Sequence, residues 1–205
     1  MPLLTFCVGP VACGKTVDLI IKANQLQSIE GEERTLVLKP SVDTRFSADV
    51  VKSATGLQIK STHLICPIDN LLDLNLSNVS HIFVDEIQFF TVQQIEQLRQ
   101  VATEYNIDVH CYGLLSDFKL NIFEASKRLL ELCDDFKLFK TYCLMCRTLR
   151  KEAHPNYATH NLKIKKFEDR MEFVVEGDSV CIGGIDTFLP VCFECFHKAT
   201  NPLKK

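Results

Sequence analysis

"GPVACGKT" (residues 9–16) follows the apolar run "LLTFCV" (residues 3–8) near the start of a 205-residue chain. The stretch matches Gly-x-x-x-x-Gly-Lys-Ser/Thr, a pattern in which glycines let backbone N–H groups turn inward around a phosphate. A helix that begins at Lys15 would add the positive end of its dipole to such a site. Lys15 is then predicted to contact the β- and γ-phosphates, and Thr16 to offer its hydroxyl to Mg²⁺.

This phosphate loop decides the start of the fold but not the reaction, because motors, switches, remodelling ATPases and small-molecule kinases all carry it. A chance match is the alternative, yet the predicted strand before the loop and helix after it are the context that the motif requires. The predicted phosphate-binding residues are Gly9, Pro10, Val11, Ala12, Cys13, Gly14, Lys15 and Thr16.

Strand-like and helix-like patterns alternate along the first 140 residues. Apolar runs predict strands, and apolar residues at helical spacing predict helices, the first of which should end at Gly31. The predicted strands cover residues 3–8, 34–40, 80–86, 107–113 and 136–142, and the predicted helices cover residues 15–29, 91–105 and 123–133. This alternation is typical of a parallel sheet with helices on its faces, although it does not give the strand order.

The chain changes character after residue 140. Residues 147–170 are polar and basic, and short strand-like runs follow them. We therefore predict an α/β nucleotide-binding domain over residues 1–140 and a small, loop-rich lobe over residues 141–205. The basic run at 147–166 is expected to be a solvated loop, the alternative being a contact with ATP phosphates bound to a neighbouring subunit.

Composition and charge exclude several classes of protein. Hydrophobic residues make up 46% of the chain and charged residues 24%, which excludes extensive disorder. No apolar run reaches the ~18 residues of a membrane span, and the N-terminus lacks the features of a secretory signal. A net charge of −3 does not suit a surface that wraps a nucleic-acid backbone. We therefore expect a cytoplasmic protein without a membrane or nucleic-acid partner.

Two adjacent acids, Asp85 and Glu86, end the predicted strand at residues 80–86. Ligands of open parallel sheets bind at the carboxyl ends of the strands, so these acids and the phosphate loop are expected at one edge. Asp85 is the candidate for holding Mg²⁺, while Glu86, pointing to the other side of the strand, is the candidate general base. The alternative is a pair of solvated acids. A base aimed at water would give an ATPase, and a base aimed at a substrate hydroxyl would give a kinase.

Aromatic side chains stand at or after the ends of the predicted strands, where a planar base could be sandwiched between them. They are Phe89, Phe90, Phe118 and Phe123. Taken singly, each is more simply explained by core packing, since most phenylalanines are buried.

Four of the ten cysteines form two Cys-x-x-Cys pairs, Cys143/Cys146 and Cys192/Cys195, with 45 residues between the pairs. Each pair can place two thiolates on one metal, so the two pairs predict a tetrahedral, structural Zn²⁺ site. A redox Cys-x-x-Cys is the alternative, but it needs only one pair. His197 is a possible substitute ligand. The other six cysteines lie mostly in apolar segments, and a disulfide scaffold is not expected.

Together these motifs resemble the type II thymidine kinases, the cellular and bacterial form of that enzyme. The similarity runs the length of the chain in the family's order. It comprises "GPVACGKT" (9–16), "DTRFS" (43–47), "VDEIQFF" (84–90), "CYGLLSDF" (111–118) with Phe123 five residues on, "YCLMC" (142–146) and "CIGGIDTFLPVCFEC" (181–195). The resemblance implies a P-loop (RecA-like) parallel sheet flanked by helices, with a small zinc-binding lobe. It also implies transfer of the γ-phosphoryl group of ATP to the 5′-hydroxyl of thymidine.

The resemblance assigns roles to individual residues of this sequence. Glu86 falls on the catalytic base, and the two pairs of cysteines fall on the zinc ligands. Asp43 and Arg45 match family positions beside the phosphates and the metal. Asp85 and Gln88 lie in the stretch 85–88, which matches the family's nucleotide contacts. Phe118 and Phe123 match aromatics that wall the thymine pocket, to which we add Phe89. The family's lasso, whose main-chain groups bind the base edge, matches Ser179, Val180, Cys181, Ile182 and Gly183.

The sequence departs from the family's pattern at Phe188, where a tyrosine is usual, and at Val11, where a methionine is common. Phe188 can still stack on a base, but any hydrogen bond from a phenol is lost. The family also implies a homotetramer and feedback inhibition by dTTP.

Two other classes of protein fit parts of the sequence. One is an ATPase or switch whose zinc lobe binds nucleic acid, against which the acidic charge balance argues. The other is a zinc scaffold that binds nucleotide without turning it over, against which the Asp85–Glu86 pair argues.

Overall fold

The computed structural model describes residues 2–45, 47, 49–148, 150, 151, 153–167, 171–177, 183, 184 and 186–201. The strands are β1 (Leu4–Val8), β2 (Thr35–Pro40), β3 (Val50–Lys52), β4 (Gln58–Lys60), β5 (His63–Ile65), β6 (His81–Val84), β7 (Asp108–Gly113), β8 (Asp135–Leu138), β9 (His160–Lys166), β10 (Met171–Phe173) and β11 (Phe188–Val191). The helices are α1 (Lys15–Glu30), α2 (Val92–Glu104), α3 (Glu124–Leu132), α4 (Leu144–Thr148) and α5 (Phe193–Thr200).

The central sheet confirms the predicted α/β fold. Its six strands lie in the order β5-β2-β6-β7-β1-β8, and every pairing is parallel. The strand β1, which leads into the phosphate loop, is separated by β7 from β6, which leads to Asp85. Strand β5 and the β3–β4 hairpin were not predicted, because three-residue strands carry too little pattern to recognise.

Helices cover both faces of the central sheet because alternate side chains of a strand point to opposite faces. Phe6 of β1 belongs to the apolar cluster that includes Leu98 of α2, whereas the adjacent Cys7 belongs to the cluster that includes Leu19 of α1. The predicted end of α1 is confirmed at Gly31, whose φ of 108° suits glycine. None of the helices in the described part of the chain has both the length and the apolar character of a membrane span.

A second, small sheet has the order β10-β9-β11, with antiparallel pairings on both sides of β9. The expectation of a solvated loop is therefore wrong for residues 160–166. Leu162 and Ile164 are buried in an apolar cluster with four cysteines, while Lys165 and Lys166 on the same strand are exposed. The lysines of this stretch concealed a strand whose alternate residues are apolar.

Candidate active site

A cleft of about 570 Å³ opens at the carboxyl edge of the central sheet. It is lined by residues 11–16 of the phosphate loop and by side chains that follow β6 and β7. Other predicted site residues in its lining are Arg45, Glu86, Gln88, Phe89, Phe118, Phe123, Gly183 and Phe188. The structure thus gathers segments that are distant in sequence around one space, as the edge-of-sheet argument predicts.

The phosphate loop has the conformation that its glycines permit. Gly14 has a φ of 91°, and an added Cβ on Gly9 would collide with the Phe139 carbonyl. Ala12 also adopts a positive φ, of 56°. The Lys15 ammonium donates to the Gly9 carbonyl at 2.9 Å and to the Pro10 carbonyl at 2.8 Å, which keeps the charge at the loop.

An acidic group lies beside the loop, and it corrects one expectation. Oxygens of Asp43, Asp85 and Glu86 all lie within 4.8 Å of one another, so the two adjacent acids do not point to opposite sides. The reason is that β6 ends at Val84 and Glu86 adopts a left-handed backbone with φ 49° and ψ 47°. Three carboxylates this close form a set of oxygen ligands that suits a divalent cation.

Arg45 ties two of these acids together. Its Nε donates to Asp43 Oδ1 at 2.7 Å, and a terminal nitrogen donates to Asp43 Oδ2 at 2.9 Å and also to Glu86 Oε1. Lys39, with a side chain 1% exposed, lies 3.9 Å from Asp43 Oδ2. The short loop that follows β2 is thereby fixed against the end of β6.

Gln88 holds the second oxygen of Glu86. Its side-chain NH₂ donates to Glu86 Oε2, while its carbonyl oxygen accepts from the Leu114 N–H at 3.0 Å. Through these two hydrogen bonds the buried Gln88 links the predicted base to the residue that follows β7. The carboxylate of Glu86 is oriented from both sides, by Arg45 and by Gln88.

Burial and charge separate the pKa values of the acids. Burial, followed by the adjacent charge of Glu86, raises the pKa of Asp85 to about 7. Burial also disfavours the charged form of Asp43, but hydrogen bonds and charge from Arg45, with the charge of Lys39, lower its pKa below the usual range. Burial thus favours the protonated form of Asp85, whereas Arg45 and Lys39 favour the charged form of Asp43.

Aromatic rings line the other part of the cleft. The ring centroids of Phe118 and Phe188 lie 6.3 Å apart, and those of Phe89 and Phe123 lie 6.4 Å apart in an edge-on arrangement. All four residues line the cleft. Phe90, in contrast, is buried in the main apolar core, so core packing accounts for it.

The predicted lasso is described only in part. Ser179, Val180, Cys181 and Ile182 lie outside the described residues. Gly183 lines the cleft, and an added Cβ there would collide with the Thr187 side chain. A glycine is thus required at this point by close packing.

The four cysteines of the two pairs, Cys143, Cys146, Cys192 and Cys195, form one buried group, called here the cysteine group. Cys146 Sγ lies 3.8 Å from Cys192 Sγ and 3.6 Å from Cys195 Sγ. These separations fit a tetrahedron of sulfurs about 2.3 Å from one ion, whose edge is about 3.8 Å. The cysteine group could therefore bind zinc. His197 is exposed and is not part of this group.

Sequence reasoning missed Asn161, whose Oδ1 accepts the Val11 N–H of the phosphate loop at 2.8 Å. No motif contains this asparagine, and the polar residues around it are typical of a loop. The nine described cysteines are all free thiols.

Comparison with known proteins agrees with this geometry. The family model described as thymidine kinase matches residues 3–196. A thymidine kinase of Encephalitozoon cuniculi is 35% identical over 201 residues, covering 97% of this chain and 88% of that protein. Thymidine kinases of Pseudothermotoga lettingae and Streptococcus pyogenes serotype M28 are 29% and 31% identical, covering 97% and 94% of this chain and 96% and 95% of those proteins. The chain belongs to the thymidine kinase family.

Proposed function

We propose that this protein transfers the γ-phosphoryl group of ATP to the 5′-hydroxyl of thymidine, giving dTMP and ADP. The observation that carries the proposal is that one cleft is lined by a phosphate loop, a glutamate and four phenylalanines. Membership of the thymidine kinase family supports the choice of substrate.

The phosphate loop would hold the triphosphate of ATP. Its backbone N–H groups and the N-terminus of α1 suit anionic oxygens, and Lys15, held by the Gly9 and Pro10 carbonyls, can direct its remaining N–H to a phosphate oxygen. Thr16 and the acidic group, with Asp85 foremost, would hold Mg²⁺, which when bound neutralises charge on the phosphates.

Glu86 would act as the general base toward the 5′-hydroxyl of thymidine. Each carboxylate oxygen has a second lone pair, so the hydrogen bonds from Arg45 and Gln88 leave room to accept a proton. The same two bonds would orient the carboxylate. Arg45 also lies close enough to the acidic group to assist with phosphate charge, together with Asp43.

The thymine base would lie among Phe89, Phe118, Phe123 and Phe188, since planar rings stack well on aromatic side chains. Main-chain groups of residues 179–183 are proposed to bind the edge of the base. Phe188 offers a stacking surface but no hydroxyl, so the affinity for the nucleoside depends on packing at this position.

We further propose that residues 1–140 are the donor domain and that residues 141–205 form a lobe clamped by structural Zn²⁺. Free thiols in the cysteine group support the metal and suit a reducing compartment such as the cytoplasm. Family membership is the support for a homotetramer and for feedback inhibition by dTTP.

A phosphoryl-transfer assay tests the proposal. Purified protein is given Mg²⁺–ATP and each of the four deoxynucleosides in turn, and parallel reactions contain single- or double-stranded DNA. We expect ADP formation to require thymidine and to be unaffected by DNA. ATP turnover that is stimulated by DNA without any nucleoside would instead identify a nucleic-acid-dependent ATPase.

A further inference from the structure

One side chain of the small sheet reaches the phosphate loop. Asn161 of β9 accepts a 2.8 Å hydrogen bond at Oδ1 from the Val11 N–H, across 150 residues of chain. Asn161 is only 7% exposed, while Val11 is partly exposed where it lines the cleft. Leaving a buried side-chain amide without a hydrogen-bond partner is energetically costly.

The bond acts on one particular peptide group of the loop. The peptide that joins Pro10 to Val11 directs its N–H to Asn161, and its carbonyl accepts from the Lys15 ammonium at 2.8 Å. Because the N–H and C=O of a trans peptide point in opposite directions, fixing the N–H also fixes the carbonyl. Asn161 therefore determines where the partner carbonyl of Lys15 lies.

The strand that carries Asn161 is itself tied to the aromatic part of the cleft. Asn161 pairs with Pro190 of β11, and two residues on, Lys163 pairs with Phe188. Between them, Leu162 packs into the apolar cluster that contains the cysteine group. The phosphate loop is thus connected to Phe188 through a short, continuous antiparallel ladder.

We propose that Asn161 is a positioning residue for the donor side of the reaction, holding the Pro10–Val11 peptide so that Lys15 is correctly placed for the triphosphate. This inference rests on the proposed function, because its effect on catalysis is measured as the KM for ATP. Through Asn161 the small sheet contributes to ATP binding as well as to the thymidine side.

Three variants separate positioning from a structural effect. Asn161→Leu keeps the size of the side chain but removes the acceptor, and Asn161→Asp keeps an acceptor in the same place. Leu162→Ala is the matched control, since it perturbs the adjacent buried position of the same strand. The readouts are steady-state kinetics for ATP and for thymidine, and amide hydrogen exchange resolved at Val11.

For Asn161→Leu we expect the KM for ATP to rise about tenfold, the KM for thymidine to change less than about twofold, and the Val11 amide to lose protection. Asn161→Asp should keep that protection; its added charge near the triphosphate makes it a variant for exchange measurements rather than kinetics. Leu162→Ala should keep both the protection and the ATP KM.

The proposal is overturned if folded Asn161→Leu keeps a protected Val11 amide and the wild-type KM for ATP, or if Leu162→Ala reproduces its effects. Should Asn161→Leu not fold, Asn161→Ser is measured in the same way and carries the same expectation of lost protection. Wild-type protein that fails to transfer phosphate would contradict the proposed function, whereas active wild-type protein with unaffected Asn161 variants would contradict this inference alone.

Discussion

The phosphate loop and the aromatic side of the cleft are built in opposite ways. The loop is one run of eight residues whose path depends on local features such as the left-handed Ala12 and Gly14. The aromatic side collects Phe89, Phe118 and Phe188 from distant parts of the chain. A contiguous site depends mainly on its own sequence, apart from single distant contacts such as the bond from Val11 to Asn161, while a dispersed site depends on every element that carries a part of it. We therefore expect ATP binding at the phosphate loop, the proposed donor half, to survive changes that disable thymidine binding at the aromatic side, the proposed acceptor half.

Replacing Glu86, where the two halves meet, should have the largest effect. Glu86→Gln keeps the shape of the side chain but removes its ability to take a proton, so we expect kcat to fall by about 10²–10⁴-fold. The KM values for ATP and thymidine should change by less than about threefold. The control is Glu96→Gln, because Glu96 forms an ion pair with Arg128 on the surface, away from the cleft. Steady-state kinetics decide the matter: a variant with near-normal kcat would remove Glu86 from the role of base.

Loss of the cysteine group should damage the acceptor half first. Cys146→Ser removes one of four sulfurs, and we expect zinc content to fall and the KM for thymidine to rise at least about tenfold. The KM for ATP should stay close to its wild-type value, because the triphosphate is proposed to bind at the phosphate loop. Cys66→Ser, at a cysteine outside the group, is the matched control. Metal analysis and kinetics on both proteins check this, and full activity in a zinc-free Cys146→Ser protein would contradict the clamp.

A smaller change within the acceptor half concerns the ring of Phe188. Phe188→Ala removes the ring next to Phe118, and we expect the KM for thymidine to rise about 10–100-fold, with a much smaller rise for ATP. Phe188→Tyr keeps the ring and serves as the control, expected within about threefold of wild type. An unchanged thymidine KM in a folded Phe188→Ala protein would remove Phe188 from the site.

The smallest expected effect lies in neither half. Burial lowers the pKa of His110 to about 4, and its ring stacks on Phe83 with centroids 5.0 Å apart. The unfolded chain binds the proton at about pH 6.5, so between these values it binds more protons than the folded chain. The neutral His110 therefore contributes to the free energy of unfolding in full above about pH 6.5, and this contribution is lost as the pH falls toward about 4. The loss is at most about 3 kcal/mol.

Urea unfolding of wild type and His110→Phe at pH 7 and pH 4.5 measures this contribution. We expect the wild type to lose more unfolding free energy than the variant over this interval. Comparing the two proteins removes the contribution of carboxylates that titrate in both. Equal losses would show that His110 is not held neutral by burial.

Local pattern and tertiary context explain which features the sequence could predict. The strand β1, the loop and the start of α1 at Lys15 follow from glycine positions and apolar runs, and each lies where expected. The orientation of Glu86 did not follow, because alternation applies only while the strand continues, and β6 ends at Val84. Strand β9 was concealed by its lysines, although Leu162 and Ile164 alternate correctly for a strand.

Contacts between distant segments are the part that sequence patterns did not contain. The bond from the Val11 N–H to Asn161 depends on how the small sheet packs on the phosphate loop. The contact of Phe118 with Phe188 likewise depends on how β11 packs against the segment that follows β7. Motifs name the residues of such a site, and packing alone decides which of them touch.

The most direct test of this account compares thymidine with 5′-deoxythymidine, which lacks the acceptor hydroxyl. Protein is incubated with Mg²⁺–ATP and either nucleoside, and ADP and dTMP are quantified together by mass spectrometry. We predict equal amounts of ADP and dTMP with thymidine, and no ADP above background with 5′-deoxythymidine. ADP formation that continues without the hydroxyl, or that exceeds dTMP, would show that Glu86 and the phosphate loop serve hydrolysis rather than transfer to thymidine.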